Sequence, residues 1–239
     1  MKKCLLATSA FSNPDLLEKC IKSWPKSDSV DHLVFIDKDT GIFDSVLTET
    51  ITTLRSIDHN GVSAAWNKIL EYAFSNGYEL VVVVGSDTTM EPGFLENYVK
   101  EFEDKNLQFA VANEYSWNCW AMSKECYETV GSFDPNMFVY YSDNDYHHRV
   151  HLSGINWAFI GNQSLFWHYG SATIRKSESY NSANSITFGM DGKYFSEKWG
   201  GYPANETFQL PFNNHELTIK DWTLDVEAYE NKKSIWNKK

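Results

Sequence analysis

Cysteine is scarce and unpatterned: Cys4, Cys20, Cys119 and Cys126 are scattered through 239 residues with no CxxC spacing. Neither a zinc ribbon nor a disulfide framework is indicated, and a reducing cytoplasm is the expected home. Positive charge is in deficit as well, 21 Lys and Arg against 32 Asp and Glu, for a formal net charge of −11. A phosphate-rich polymer is repelled at long range by such a chain, and the short tail "NKKSIWNKK" is its one basic stretch, so nucleic acid is not the default partner. A nucleotide held through a divalent cation remains compatible with an acidic site. No apolar run approaches the roughly 20 residues needed to span a bilayer, so a soluble protein is expected. The opening "MKKCLLATSAF" resembles a signal peptide in its two lysines, but it contains Thr8 and Ser9 and runs directly into the helix start "SNPDLLEKC". It reads as a first strand. GxGxxG, GxxxxGK[ST] and GxSxG are all missing, so no dinucleotide fingerprint, P-loop or nucleophile elbow is claimed. No repeat, low-complexity segment or clear linker appears, which favours one domain with an elaborated C-terminal half.

With 42% hydrophobic and 22% charged residues, the chain has an ordinary globular composition and enough length to bury a core. After a strand at Cys4 to Ala7, Asn13 is placed to cap a helix with Pro14 at its first position. Leu16, Leu17, Cys20, Ile21 and Trp24 recur there at helical spacing. "HLVFID" gives a second strand ending in Asp37, "TLRSID" a third, and "GVSAAWNKILEYAFSNG" a helix stopped by Gly77. "YELVVVVGSD" follows; its four consecutive valines lack polar alternation and suit a central strand covered on both faces. Pro92 opens another helix and "QFAVAN" another strand. To about Asn113 this is the pattern of a doubly wound α/β domain, and such sheets bind ligands in the crevice beyond the carboxyl ends of their strands. Asp37 and Asp87 both fall at such ends. Beyond residue 114 the sequence turns aromatic and irregular. Trp117, Trp120, Tyr127, Phe133, Phe138, Tyr140 and Tyr141 are too dense for one helix face, and read as core with a minority free to stack an acceptor.

Asp87, in "VVVVGSDTTM", suits a hard divalent cation that bridges nucleotide phosphates, or equally a turn cap bonded to its own backbone. In "FVYYSDNDYHHRV", Asp145 and Arg149 have the i,i+4 spacing of a helical ion pair. Asp143 then stands just outside the helix, free to act as a general base. His147 and His151 share a helical face without the glutamate of H-E-x-x-H, which disfavours zinc. His168, in "LFWHYGSAT", is either a satisfied core histidine or a metal or phosphate contact. Two glycosylation sequons, at Asn162 and Asn205, are idle without a secretory route.

Three stretches in order, "NPDLLEKCIKSW" with "VFIDKDTG", then "NGVSAAWNKILEYAFSNGYELVVVVGSDTTMEPGFLENY", then "VGSFDPNMFVYYSDNDYHHRVHLSGINWAFIGNQSLFWHYGSAT", resemble family 2 GT-A glycosyltransferases, particularly the rhamnosyltransferase-like branch. The resemblance spans about residues 4 to 175. It implies a GT-A fold, a Rossmann-like mixed sheet with helices on both faces: a nucleotide-sugar-binding half over residues 1–113, an acceptor and catalytic half over 114–200, and an extension over 201–239. On that resemblance Asp37 hydrogen-bonds the nucleotide base, Trp66 and Asn67 join the donor-binding residues, and Asp87 is the metal-binding end of a DxD-type motif. His168 joins the metal or the diphosphate, and Asp143 is the acid of the "ED" motif. The implied chemistry is inverting transfer from a nucleotide-sugar, with a UDP-sugar as the leading expectation and Mn²⁺ or Mg²⁺ assisting, to a glycan or other hydroxyl acceptor. Gly85 stands where a full DxD motif has an acid, and Ser142 replaces the usual glutamate of the "ED" pair. "YFSEKWGG", residues 194–201, looks like a family segment near the acceptor side. The rival readings are a nucleotidyltransferase and a non-catalytic nucleotide-sugar-binding subunit.

Overall fold

Asn13 accepts a hydrogen bond from the Leu16 amide and Pro14 takes the first helical position, so strand β1 (Cys4–Ala10) gives way to helix α1 (Pro14–Lys22) where the capping residues direct it. The computed structural model describes residues 3–27, 29–114, 116–170 and 178–237. Lys2, Ser171 to Thr173 at the end of the third stretch, and the last two lysines of the basic tail lie outside the described residues. Next come β2 (Val30–Asp37), β3 (Thr52–Ser56), α2 (Val62–Ser75) and β4 (Leu80–Val84). Short β5 (Thr88–Met90), α3 (Phe94–Asp104), β6 (Phe109–Val111) and β7 (Cys119–Ser123) follow. The C-terminal half holds α4 (Lys124–Val130), α5 (Ser142–Ser153), β8 (Trp157–Phe159), β9 (Phe166–His168), α6 (Glu178–Trp199) and α7 (Val226–Trp236).

The main sheet has seven strands in the order β3-β2-β1-β4-β7-β6-β8, with β1, β2, β3 and β4 mutually parallel. β7 enters antiparallel between β4 and β6, which makes the sheet mixed. β5 and β9 form a separate antiparallel ribbon. The valines of β4 serve both faces: Val82 and Val84 pack with Leu6, Val34, Phe94 and Tyr98, while Val81 and Val83 pack with Ile69, Trp120, Phe133 and Tyr146. This is the doubly covered central strand that an apolar run without alternation predicts. The helix expected at Pro92 begins two residues later, because Gly93 takes a left-handed φ of +86° and leaves Pro92 in the preceding turn. Among the described residues no helix is long and apolar enough to cross a membrane.

The C-terminal half is fastened by charge as well as by apolar packing. Asp145 and Arg149 on α5 are fully buried and paired at 2.7 Å, the i,i+4 contact their spacing predicts. Lys198, from the "YFSEKWGG" segment at the end of α6, reaches both Asp145 at 2.7 Å and Asp134 at 2.8 Å. The Trp199 indole donates to Asp145 at 2.9 Å. Burial alone would raise the Asp145 pKa, but Arg149 and Lys198 overcome it and hold the carboxyl below its ordinary range. The 201–239 extension packs back on its own chain through α7, with Trp236 buried and Lys232 paired with buried Asp191 at 2.7 Å.

Removing one partner from a buried ion network strands the other charge. Arg149→Met is therefore expected to cost about 3–5 kcal/mol in urea denaturation at neutral pH. Asp145's folded pKa is depressed, so the stability it contributes is present above the unfolded carboxylate value near ~4 and is lost as pH falls below it. The deficit of the variant should accordingly shrink at about pH 3, relative to that reference value. An equal deficit at both pH values would contradict this role for the pair.

Candidate active site

The parallel strands β1, β2 and β4 end on one edge of the sheet, and the crevice there is a cleft of about 250 Å³. Its walls include Phe11 after β1, Asp37 at the end of β2, Asp87 after β4, Trp66 on α2, His168 on β9 and Trp236 on α7. Asp87 is set by the tight turn Gly85–Ser86–Asp87, closed by a hydrogen bond from the Thr88 amide to the Gly85 carbonyl. His168 pairs with Thr88 across the β5–β9 ribbon, which brings its Nε2 to 3.3 Å from Asp87 Oδ1. Both side chains keep some exposure to the cleft, 13% for Asp87 and 29% for His168. A carboxylate and an imidazole so placed offer a divalent cation two protein ligands and leave its remaining positions to phosphate oxygens or water. No cluster of three or more His, Cys, Asp or Glu suited to a metal occurs among the described residues. The donor set fits a cation shared with a bound diphosphate better than one caged by protein alone. A Cβ at Gly85 would meet Asp87 Oδ1 at 3.0 Å, so an acid at that position would crowd the carboxylate it would assist.

Asp37 is buried at the end of β2, across β1 from β4 and the turn that carries Asp87. Its Oδ1 accepts from the backbone and side-chain nitrogens of Asn60, at 2.9 and 3.1 Å, and its Oδ2 accepts from His59 Nδ1 at 2.7 Å. Trp66 lines the cleft and packs edge-on against Trp120, which also lines it. Asn67, the next residue, faces elsewhere: its side chain donates to the Phe133 carbonyl at 2.9 Å and accepts from the Phe133 amide at 2.8 Å. It does not line the cleft, and its amide ties α2 to the following half. His147 and His151 pack around Trp157, with ring centroids 4.4 and 4.7 Å from it. Burial, then the neighbouring histidines, push the His147 pKa down to about 4.

Asp143 lies in the first turn of α5, one residue inside the helix rather than just outside it, because Tyr141 serves as the cap in a left-handed conformation, φ +63°. A non-glycine residue held there is strained, and such strain concentrates at functional sites. The preceding backbone is held by Asp191, whose Oδ2 accepts from the Val139 and Tyr140 amides at 2.9 and 3.0 Å. Asp143 is half-buried and its carboxylate accepts a bond from the Asn144 amide at 2.9 Å. Burial raises its pKa above the ordinary carboxylate value. Asp143 is not itself among the residues lining the cleft, but Val139 is. Its neighbour Ser142 pins this end of α5 to the cleft wall: Ser142 Oγ lies 2.6 Å from Ser63 Oγ at the start of α2, and Ser63 donates to the Met137 carbonyl at 2.6 Å. Gly61, the cap of α2, has φ +89°, and any side chain there would collide with Phe138. Phe11, His59 and Trp236 are among the cleft residues that sequence reasoning missed; the tryptophan in a largely polar, basic tail was the one available signal for the last.

On the resemblance described above Ser142 stands where a glutamate is usual; here it is buried, with its hydroxyl against that of Ser63. Ser142→Ala should cost about 1 kcal/mol, the loss of a hydrogen bond. Ser142→Glu should cost at least about 2 kcal/mol more, from overpacking and a buried charge. Chemical denaturation of both variants measures the gap, and equal stability would show that the pocket accepts the longer side chain.

Residues 8–160 match the sequence profile described as "Glycosyl transferase family 2". No curated protein matches the sequence. Among solved structures, the fold is similar to that of S. aureus TarS, with a TM-score of 0.56 at 11% identity, covering 71% of this chain and 37% of that one. The chain thus spans little more than a third of the length of that protein. A TarS fragment of residues 1–349 gives the same TM-score at 10% identity, covering 81% of this chain and 72% of the fragment.

Proposed function

Since the chain belongs to glycosyl transferase family 2, we propose that its cleft binds a nucleotide-sugar and that the protein transfers the sugar, with inversion, to a hydroxyl of a glycan or another acceptor. The observation that carries this reading is the placement of Asp37, Asp87 and His168 around one cleft at the carboxyl ends of parallel strands, where open α/β sheets bind ligands. A UDP-sugar is the proposed donor, and membership of the rhamnosyltransferase-like branch rests on the three sequence stretches alone.

Asp143 takes the proton of the acceptor hydroxyl as its oxygen attacks the anomeric carbon. The bond from that carbon to the diphosphate breaks, and the nucleoside diphosphate leaves with the electron pair. Burial of Asp143 makes it a stronger base than a solvated carboxylate. Trp66 and Trp120 supply an apolar wall to the cleft, and such faces exclude water and pack against sugar rings. Asp87 and His168 would hold Mn²⁺ or Mg²⁺, which when bound neutralises charge on the departing diphosphate. Asp145, Arg149 and Lys198 keep α5 in position.

Asp143→Asn should lower transfer at least about 10²-fold while nucleoside diphosphate binding stays unchanged. Undiminished turnover would remove Asp143 from the mechanism. In the unaltered protein kcat/KM should rise with pH until Asp143 is deprotonated, at a pH above the ordinary carboxylate value near ~4. A profile flat across that limb would contradict the assignment. Gly85 and Ser142, which replace carboxylates of the family pattern, favour one second reading, a non-catalytic nucleotide-sugar-binding subunit; it predicts donor binding with no transfer at any pH. Release of pyrophosphate would instead mark a nucleotidyltransferase.

A further inference from the structure

At the end of β2, across β1 from Asp87, the carboxylate of Asp37 is poorly available to a ligand. Its side chain is 3% exposed, and each oxygen already accepts from His59 or Asn60. The His59 ring that Asp37 holds also lines the cleft; its side chain is 6% exposed, and it carries a second nitrogen. A carboxylate only accepts, so the proton of a neutral His59 ring lies on Nδ1 and its lone pair on Nε2. His59 lines the cleft, and among the described residues Nε2 has no hydrogen-bond partner.

The ring is fixed from several sides. Phe11 lies 4.1 Å from it, Trp236 5.1 Å and Phe138 5.2 Å, centroid to centroid. The His59 backbone is clamped in both directions by Asn237: its amide donates to Asn237 Oδ1 and its carbonyl accepts from Asn237 Nδ2, each at 3.0 Å. Trp236 is buried, and its indole donates to Thr187 on α6 at 3.3 Å. Tyr229 on α7 donates to the Asn60 carbonyl at 2.8 Å. The extension therefore builds part of the cleft and holds in place the ring whose Nε2 is left without a partner among the described residues.

We propose that His59, oriented by Asp37 and clamped by the C-terminal helix, is the specificity-determining residue for the donor's nucleobase, its Nε2 accepting the imide N–H of a uracil or thymine ring. The assignment rests on the donor-site reading given above. Uracil and thymine carry a proton on N3, whereas N3 of cytosine carries a lone pair that would face the lone pair of Nε2. A site built to bond a ligand N–H rejects the analogue that lacks it, because the site's own polar group is left unpaired.

The test is calorimetric titration of UDP, CDP, GDP and inorganic pyrophosphate, each with Mn²⁺, into the full chain and into His59→Asn. Asparagine places an amide nitrogen near the position of Nδ1, so it retains a donor for Asp37, and it has nothing at Nε2. The unaltered protein should bind UDP at least about tenfold more tightly than CDP. His59→Asn should reduce that preference to less than about twofold, consistent with loss of a single hydrogen bond, and leave pyrophosphate binding unchanged. CDP binding as tight as UDP in the unaltered protein overturns the assignment without any variant. A folded His59→Asn that keeps the preference also overturns it, and in both cases the donor site itself stands. Absence of binding by any nucleoside diphosphate overturns the donor-site reading and this inference together.

Discussion

A buried network of opposite charges holds the C-terminal half of the molecule together. Asp134 and Asp145 face Arg149 and Lys198 with side chains wholly removed from water. Each charge would be costly alone, and each is compensated only while the others stay in place. The network joins the loop before α5, α5 itself and the end of α6, so the first turn of α5, which carries Asp145, is fixed by Arg149 one turn on and by Lys198 of α6. Asp143 inherits that position. The division of labour between two aspartates two residues apart follows: Asp145 is enclosed and paired, and its pKa is driven down, while Asp143 has no cationic partner among the described residues and burial drives its pKa up.

A second arrangement of the same kind runs through the C-terminal helix. Lys232 on α7 pairs with Asp191 on α6, and Asp191 in turn accepts from the backbone just ahead of Asp143. The same helix presents Trp236 to the cleft and, through Asn237, grips the backbone of His59. One short helix thus supports both the segment that carries the proposed base and the part of the cleft around His59. Trp236 and Asn237, which lie beyond the family-matched segment, are a structural part of the site.

Much of the fold was legible in the sequence because its signals are local. The Asn13–Pro14 helix start, the doubly covered valine strand and the Asp145–Arg149 pair each depend on residues within a few positions of one another, and each appears as expected. Placement of Asp37 and Asp87 at one crevice followed from strand ends and the rule for parallel sheets. The antiparallel entry of β7 was not legible, because pairing direction is a long-range choice that an aromatic stretch does not encode. Asn67 lies beside a cleft residue in sequence, yet helical geometry turns it toward Phe133. His59 and Trp236 are 177 positions apart in the numbering and meet only through tertiary packing, so no spacing pattern announces either.

The most direct test of the account is diffraction at the manganese absorption edge from crystals grown with UDP and Mn²⁺. The account predicts an anomalous peak coordinated by Asp87 beside His168, with the diphosphate against it and the uracil ring directed toward His59. A nucleotide bound outside this cleft, or manganese bound away from Asp87, would contradict it.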